Sequence, residues 1–184
     1  ETEKLPFAIR KAKAFALAVE KMPLFLLEGD LLCGGKTVYK LPTYITEDEI
    51  KWGNHNFECS GYNNIFDYPF NLGQDERGFG LNNSSIPAYY KIIPMGLPAL
   101  IADIEALKAA ATDSDQIIYY DSVLIAQHAA LRIMARYEAL CREFLDSCKD
   151  EPRCRELQIM ADNLAQLQVG APQTYWQALQ LMYC

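Results

Sequence analysis

The chain has 184 residues, 51% hydrophobic and 22% charged, enough to bury a core as one globular domain. Its formal net charge of −7 disfavours nucleic acid or an anionic membrane as the main partner, because both need clustered Lys and Arg. Six cysteines without a Cys-x-x-Cys pair, and two distant histidines, His55 and His128, give no zinc-type spacing.

No signal peptide or membrane-length apolar run is visible, and free thiols fit a reducing cytoplasm. Residues from about Thr2 to Met22, rich in Ala, Lys and Glu and carrying Phe7, Phe15 and Leu17, predict an amphipathic helix that Pro23 breaks. The basic run Arg10, Lys11 and Lys13 reads as its wet face. The stretch from Leu24 to Gly35 is apolar and ends in a glycine turn. Short extended pieces are expected over 36–44. Thr46-Glu47-Asp48-Glu49 is a capping box for a short helix ending near Gly53-Asn54.

Residues 54–86 read as an irregular, aromatic-rich loop region with Phe57, Tyr62, Phe66, Tyr68, Phe70 and Phe79; a loop this long is usually functional or disordered, and the aromatics argue against disorder. Pro87 suits the first turn of a helix with Tyr89, Ile92 and Ile93 inward. Pro94 and Gly96 break that helix, Pro98 restarts it, and Leu97, Leu100, Ile101, Ile104 and Leu107 form its stripe.

Thr112-Asp113-Ser114-Asp115 caps the longest predicted helix, from about Gln116 to Ser147, with Ile117, Tyr120, Leu124, Leu131, Met134 and Leu145 among its apolar positions. Pro152 sits near the start of the next helix, which carries Leu157, Met160, Leu164 and Leu167 and stops before Gly170-Ala171-Pro172. Thr174 and Gln177 form a capping box for a last helix with Trp176, Leu179 and Tyr183 along one face. Nothing in the sequence stops that helix, so more protein is expected to follow Cys184. The fold class expected is mainly α.

Catalytic motifs are scarce. Gly78-Phe79-Gly80 has neither the length nor the Lys of a phosphate loop, and no Gly-x-Ser-x-Gly elbow exists. Glu156 and Asp162 read as solvated helix charges. His128, between apolar residues of the long helix, reads as a packed core or boundary histidine.

Four segments in order resemble the N-terminal region of the glycyl radical enzymes, the family of pyruvate formate-lyase. They are Lys21-Met22-Pro23-Leu24 through Gly34; Ile86 through Ile101; Ala130 through Arg136-Tyr137-Glu138-Ala139-Leu140; and Arg155-Glu156-Leu157 with Ala161, continuing to Val169 through Thr174-Tyr175-Trp176-Gln177-Ala178-Leu179-Gln180. The resemblance implies that residues 1–184 are the helical N-terminal part of an α/β barrel, truncated at the C-terminal side.

It further implies that a glycyl radical and a catalytic cysteine, both downstream, abstract hydrogen from a small organic substrate in lyase, decarboxylase or acyltransferase chemistry. This segment would scaffold the barrel and line part of the pocket. A radical-SAM activating enzyme would install the radical, no other cofactor would be bound, the full-length enzyme would be a homodimer, and the setting would be anaerobic cytoplasm. None of the cysteines here is expected to be catalytic: Cys33, Cys141 and Cys148 read as packing or surface thiols, and Cys59 alone has a plausible site environment.

In relatives a "G-H-x-x-P-D-Y" element faces substrate. Aligned on Pro87-Ala88-Tyr89, its His position falls on Ser84 and its Asp position on Ala88. A proton-relaying imidazole becomes a hydroxyl and a carboxylate becomes a methyl, which makes diol dehydration and choline cleavage less expected and an aromatic or apolar substrate, or a decarboxylation, more so. Phe79, Asn83, Ser84, Ser85 and Tyr89 are the substrate-binding candidates, with Tyr90 alongside. The competing reading is that Asn82-Asn83-Ser84-Ser85 only caps the helix near Pro87. The alternative for the whole chain is a non-catalytic interaction module that has lost the barrel and binds a protein with the face left open.

Overall fold

The computed structural model describes residues 2–34 and 88–184. The expected extended pieces at 36–44, the Thr46 capping box, the aromatic region 54–86, Cys59, Phe79, Asn83, Ser84 and Ser85 lie outside the described residues.

Among the described residues the structure is five helices, the last four joined by short connections, in agreement with the mainly α expectation: α1 (Phe7–Lys21), α2 (Tyr89–Ala110), α3 (Ser114–Ser147), α4 (Glu151–Val169) and α5 (Tyr175–Tyr183). Helix α1 starts five residues later than the composition suggests, because Pro6 holds the N-cap position and a proline drives the residue before it out of the helical region. Its inward face is also different. Ile9, Ala12 and Val19 are buried, whereas Phe7, Phe15 and Leu17 are exposed. The small side chain of Ala12 lies on the face turned to α3, with half-buried Ala16 between it and Val19. Arg10, Lys11 and Lys13 are exposed, as the wet-face reading requires.

Helix α2 is two helical segments meeting at Gly96, whose φ of 75° and ψ of 162° are accessible in practice only to glycine. A Cβ there would stand 2.8 Å from the Ala171 backbone and the Gly170 carbonyl oxygen, so the α2 bend and the α4–α5 connection touch at a glycine. The break and the restart at Pro98 follow the sequence. Leu97 and Ile101 are buried, but Leu107 is exposed, because the last turns of α2 extend past the core and are tied instead by Lys108 to Asp121 at 2.6 Å.

Helix α3 is the axis of the fold, about 50 Å long at ~1.5 Å per residue, and α1, α2 and α4 all pack on it. Asp113 accepts the Gln116 N–H at 3.1 Å, and Asp150 caps α4 by accepting from Arg153 N–H at 3.1 Å. The core brings Val19, Leu97, Ile133, Met134, Tyr137, Cys141, Met160, Leu164, Leu167 and Leu181 together. All four apolar positions assigned to α4, Leu157, Met160, Leu164 and Leu167, are buried. His128 is exposed, so it is not the packed histidine its neighbours suggest; its position turns away from the face that carries Ala129, Ile133 and Tyr137.

In α5 the Thr174 hydroxyl accepts from Gln177 N–H at 3.2 Å, while the Gln177 side chain reaches back to Gln173 N–H at 2.7 Å. The capping box therefore closes one residue earlier than the standard pattern. The buried face is Gln180 and Leu181, with Trp176 half-buried, and Tyr183 is exposed. Of the expected face, Leu179 is half-buried and only Tyr183 turns out to solvent, while the most buried position is taken by a polar side chain.

Candidate functional site

Residues 23–34 run as an extended strap with no helix of their own. Such a segment must satisfy its backbone polar groups elsewhere, and it does so on side chains from three helices. Arg136 of α3 donates to the carbonyls of Val19 and, at 2.8 Å, Met22, where α1 ends and the strap begins. Arg153 of α4 donates to Asp30 O at 2.8 Å and Leu27 O at 3.2 Å, and also pairs with Glu156. Trp176 of α5 donates its indole N–H to Leu31 O at 2.8 Å. Within the strap, Asp30 folds back to accept from Leu27 N–H at 3.0 Å, closing the turn at Gly29.

The last anchor is the most buried. Gln180 has no exposed surface; its Oε1 accepts from Cys33 N–H at 2.9 Å and its Nε2 donates to Cys33 O at 2.6 Å. Its carboxamide thus imitates a neighbouring strand at a single residue. Cys184 joins the knot, its thiol 3.2 Å from Cys33 O and 3.0 Å from Gln180 Nε2. Gly34 follows with φ 136°, and a Cβ there would meet Tyr183 O at 2.5 Å, so the backbones of strap and α5 are in direct contact.

Behind this clamp the Cys33 and Cys141 sulfurs lie 3.4 Å apart, both buried. The hydrogen bond between them holds the Cys33 thiol above its ordinary value, with burial adding to the effect, and holds the Cys141 thiol below its own. Cys33 is the donor and Cys141 the acceptor in that reading. Tyr137, one helical turn before Cys141, is wholly buried and its hydroxyl is pushed up to about 12, chiefly by burial. The packing reading of Cys33 and Cys141 holds, while Cys148 is half-buried at the α3 C-cap beside Cys154, whose thiol is raised by their hydrogen bond. Sequence reasoning did not single out Gln180 or Arg153. The signal available was a lone Gln on the apolar side of a short helix and a lone Arg in the first turn of another.

Of the substrate-binding candidates, Tyr89 alone is described: it opens α2 and is half-buried, while Tyr90 is 85% exposed. The structure does not bring Tyr89 to the thiol knot. The other four candidates lie outside the described residues. Beside the strap, Leu31, Leu32, Tyr175, Trp176 and Leu179 line an open, apolar groove of about 360 Å³. Glu156 and Asp162 engage Arg153 and Gln158 and do not converge on a site. Among the described residues no group of three or more His, Cys, Asp and Glu is placed to hold a metal, and no helix is long and apolar enough to cross a membrane.

Comparison with known proteins places this architecture. The family model described as pyruvate formate lyase-like matches residues 76–184, more than half of the chain, and the chain belongs to that family. A curated relative, the (2S)-3-sulfopropanediol dehydratase of Klebsiella oxytoca, is 35% identical over 98 residues, which is 50% of this chain and 12% of the relative. Among solved structures, the B12-independent glycerol dehydratase of Clostridium butyricum aligns with a TM-score of 0.71 at 18% identity, over 99% of this chain and 29% of that one. A Roseburia inulinivorans protein described for 1,2-propanediol dehydration aligns with a TM-score of 0.74 at 17% identity, over 99% of this chain and 27% of that one. A glycyl radical enzyme from Archaeoglobus fulgidus aligns at 0.70 and 17%, over 99% of this chain and 29% of that one. The chain therefore spans about an eighth of the curated relative and less than a third of these structures. Its helices are those of the N-terminal region of a glycyl radical enzyme, as the four segments imply.

Proposed function

We propose that this chain is the N-terminal scaffold of a glycyl radical lyase, and that it positions one wall of the substrate pocket while the reacting groups sit elsewhere in the polypeptide. The observation that carries this reading is the family match over residues 76–184. That range includes Phe79, Asn83, Ser84, Ser85 and Tyr89, the pocket candidates of the sequence. The dehydratase relatives favour elimination chemistry on a small organic molecule. Ser84 and Ala88 stand where such pockets carry His and Asp, so the wall here is smaller and less charged, and the substrate differs at that point.

The described framework fits the scaffolding role. Cys33 and Gly34 are locked by α5, and the bend of α2 at Gly96 sits against Ala171, so the strap and α2 are fixed in one helical core. Under this proposal the radical glycine and the catalytic cysteine are outside residues 1–184, a radical-SAM activating enzyme installs the radical, the enzyme is a homodimer, and it works in anaerobic cytoplasm.

The test is to express the full polypeptide that carries this chain, activate it anaerobically, and look for a carbon-centred radical by electron paramagnetic resonance. A radical that is quenched on adding small hydroxylated or carboxylated substrates, with product formed, supports the reading. A full polypeptide that takes up no radical under activation refutes it and returns attention to an interaction module.

A further inference from the structure

We propose that Cys33 and Cys141 form a dithiol switch, which a hydroperoxide converts to a disulfide that staples the strap to α3. The geometry is specific to this pair. Their sulfurs are 3.4 Å apart in a site with 1% and 0% exposure, and a disulfide needs an approach to about 2.05 Å. The two residues are far apart in sequence and belong to different elements, so the bond would join the strap to the central helix. The two thiols belong to the buried core cluster and meet where the end of the strap packs on the central helix.

Access is provided by the way the strap is held. Arg153, Trp176 and Gln180 side chains anchor it, and among the described residues no backbone ladder to the helices does. Segments held this way open locally at lower free energy than the core behind them. Opening of the strap at Cys33 exposes its thiol and the sulfur contact it makes with Cys141.

The chemistry balances with a hydroperoxide as the oxidant. Cys141 reacts as its thiolate, the nucleophilic form of a thiol. It attacks the distal peroxide oxygen, the O–O bond breaks, and the departing alkoxide or hydroxide takes a proton. The sulfenic acid so formed is attacked by Cys33; the S–S bond forms, the S–O bond breaks, and hydroxide leaves with the Cys33 proton as water. Two thiols lose two electrons and the peroxide gains them. A thiol reductant reverses the step.

The experiment is peptide mapping of the full polypeptide, purified reduced and anaerobically, then exposed to hydrogen peroxide and blocked with an alkylating agent. A Cys33–Cys141 cross-linked peptide as the dominant disulfide, reversed by dithiothreitol and absent in both C33A and C141A, is the expected result. Hydrogen exchange over residues 23–34 should slow at least tenfold in the oxidised protein and recover on reduction. Cross-links confined to Cys59, Cys148, Cys154 or Cys184, with Cys33 and Cys141 recovered alkylated, would overturn the proposal. So would a Cys33–Cys141 cross-link that leaves exchange in the strap unchanged. The mapping uses the unmutated protein, so a variant that fails to fold does not remove the test.

Discussion

Gln180 grips Cys33 at both backbone polar groups, accepting from its N–H at 2.9 Å and donating to its carbonyl at 2.6 Å, from a position with no solvent exposure. A carboxamide is the one neutral side-chain group with a donor and an acceptor at the spacing of a peptide unit. Truncating it leaves the buried Cys33 N–H unpaired and its carbonyl with only the Cys184 thiol at 3.2 Å. Gln180→Ala is expected to destabilise the protein by about 1–3 kcal/mol, the cost of one orphaned buried group, read as a lowered denaturant midpoint. An unchanged midpoint would mean that the strap re-pairs with water.

Arg153 serves two strap carbonyls and a carboxylate with one planar guanidinium, and its side chain is 17% exposed. Lysine keeps the charge but lacks the fork. Arg153→Lys should cost roughly 1–2 kcal/mol and speed hydrogen exchange at Leu27 and Asp30. Full retention of both properties would show that the charge alone holds the turn.

Gly96 combines φ 75° with a Cβ position 2.8 Å from three backbone atoms. Gly96→Ala meets both a conformational penalty and a clash that no side-chain rotamer relieves, so a loss of about 3 kcal/mol or more is expected. Gly29, with φ 81° but open space around its Cα, should lose only ~1 kcal/mol on the same change. The ordering of the two variants by thermal melting checks the argument.

Tyr137 supplies a pH prediction. Its hydroxyl is raised to about 12 in the fold, against the ordinary value of 10.0. Between those values the unfolded chain releases the proton and the native chain keeps it, so stability falls as pH rises. The contribution is fully present below pH ~10 and is lost by about 12, on the order of 2–3 kcal/mol. Urea midpoints taken across that window should drop for the protein by more than for Tyr137→Phe. Parallel curves would place the titration elsewhere.

Ser84 tests the pocket wall. In the full, activated polypeptide, Ser84→Ala is expected to lower turnover about tenfold, equivalent to one lost hydrogen bond of ~1.4 kcal/mol. Unchanged turnover and substrate affinity would leave Ser84 as a helix-capping residue and nothing more.

Much of the framework was legible in the residues. Asp113 and Thr174 cap the helices they precede, Gly96 divides α2, and the α4 stripe is buried at every assigned position, because caps, glycine breaks and a 3.6-residue apolar period are local properties of a chain. The family was legible too, from four short segments in order. What the sequence could not decide is which of several apolar faces turns inward. In α1 Phe7 and Leu17 stay exposed while Ile9, Ala12 and Val19 are buried, a choice of face that packing on α3 decides and helical period alone does not. Exposed His128 and buried Gln180 are the same lesson in opposite directions. Periodicity ranks residues by their own solubility, but a strap without secondary structure creates backbone donors and acceptors that must be met from neighbours brought close only by the tertiary fold. Arg136, Arg153, Trp176 and Gln180 meet them, and the contact between Cys33 and Cys141, 108 residues apart, exists only because they do.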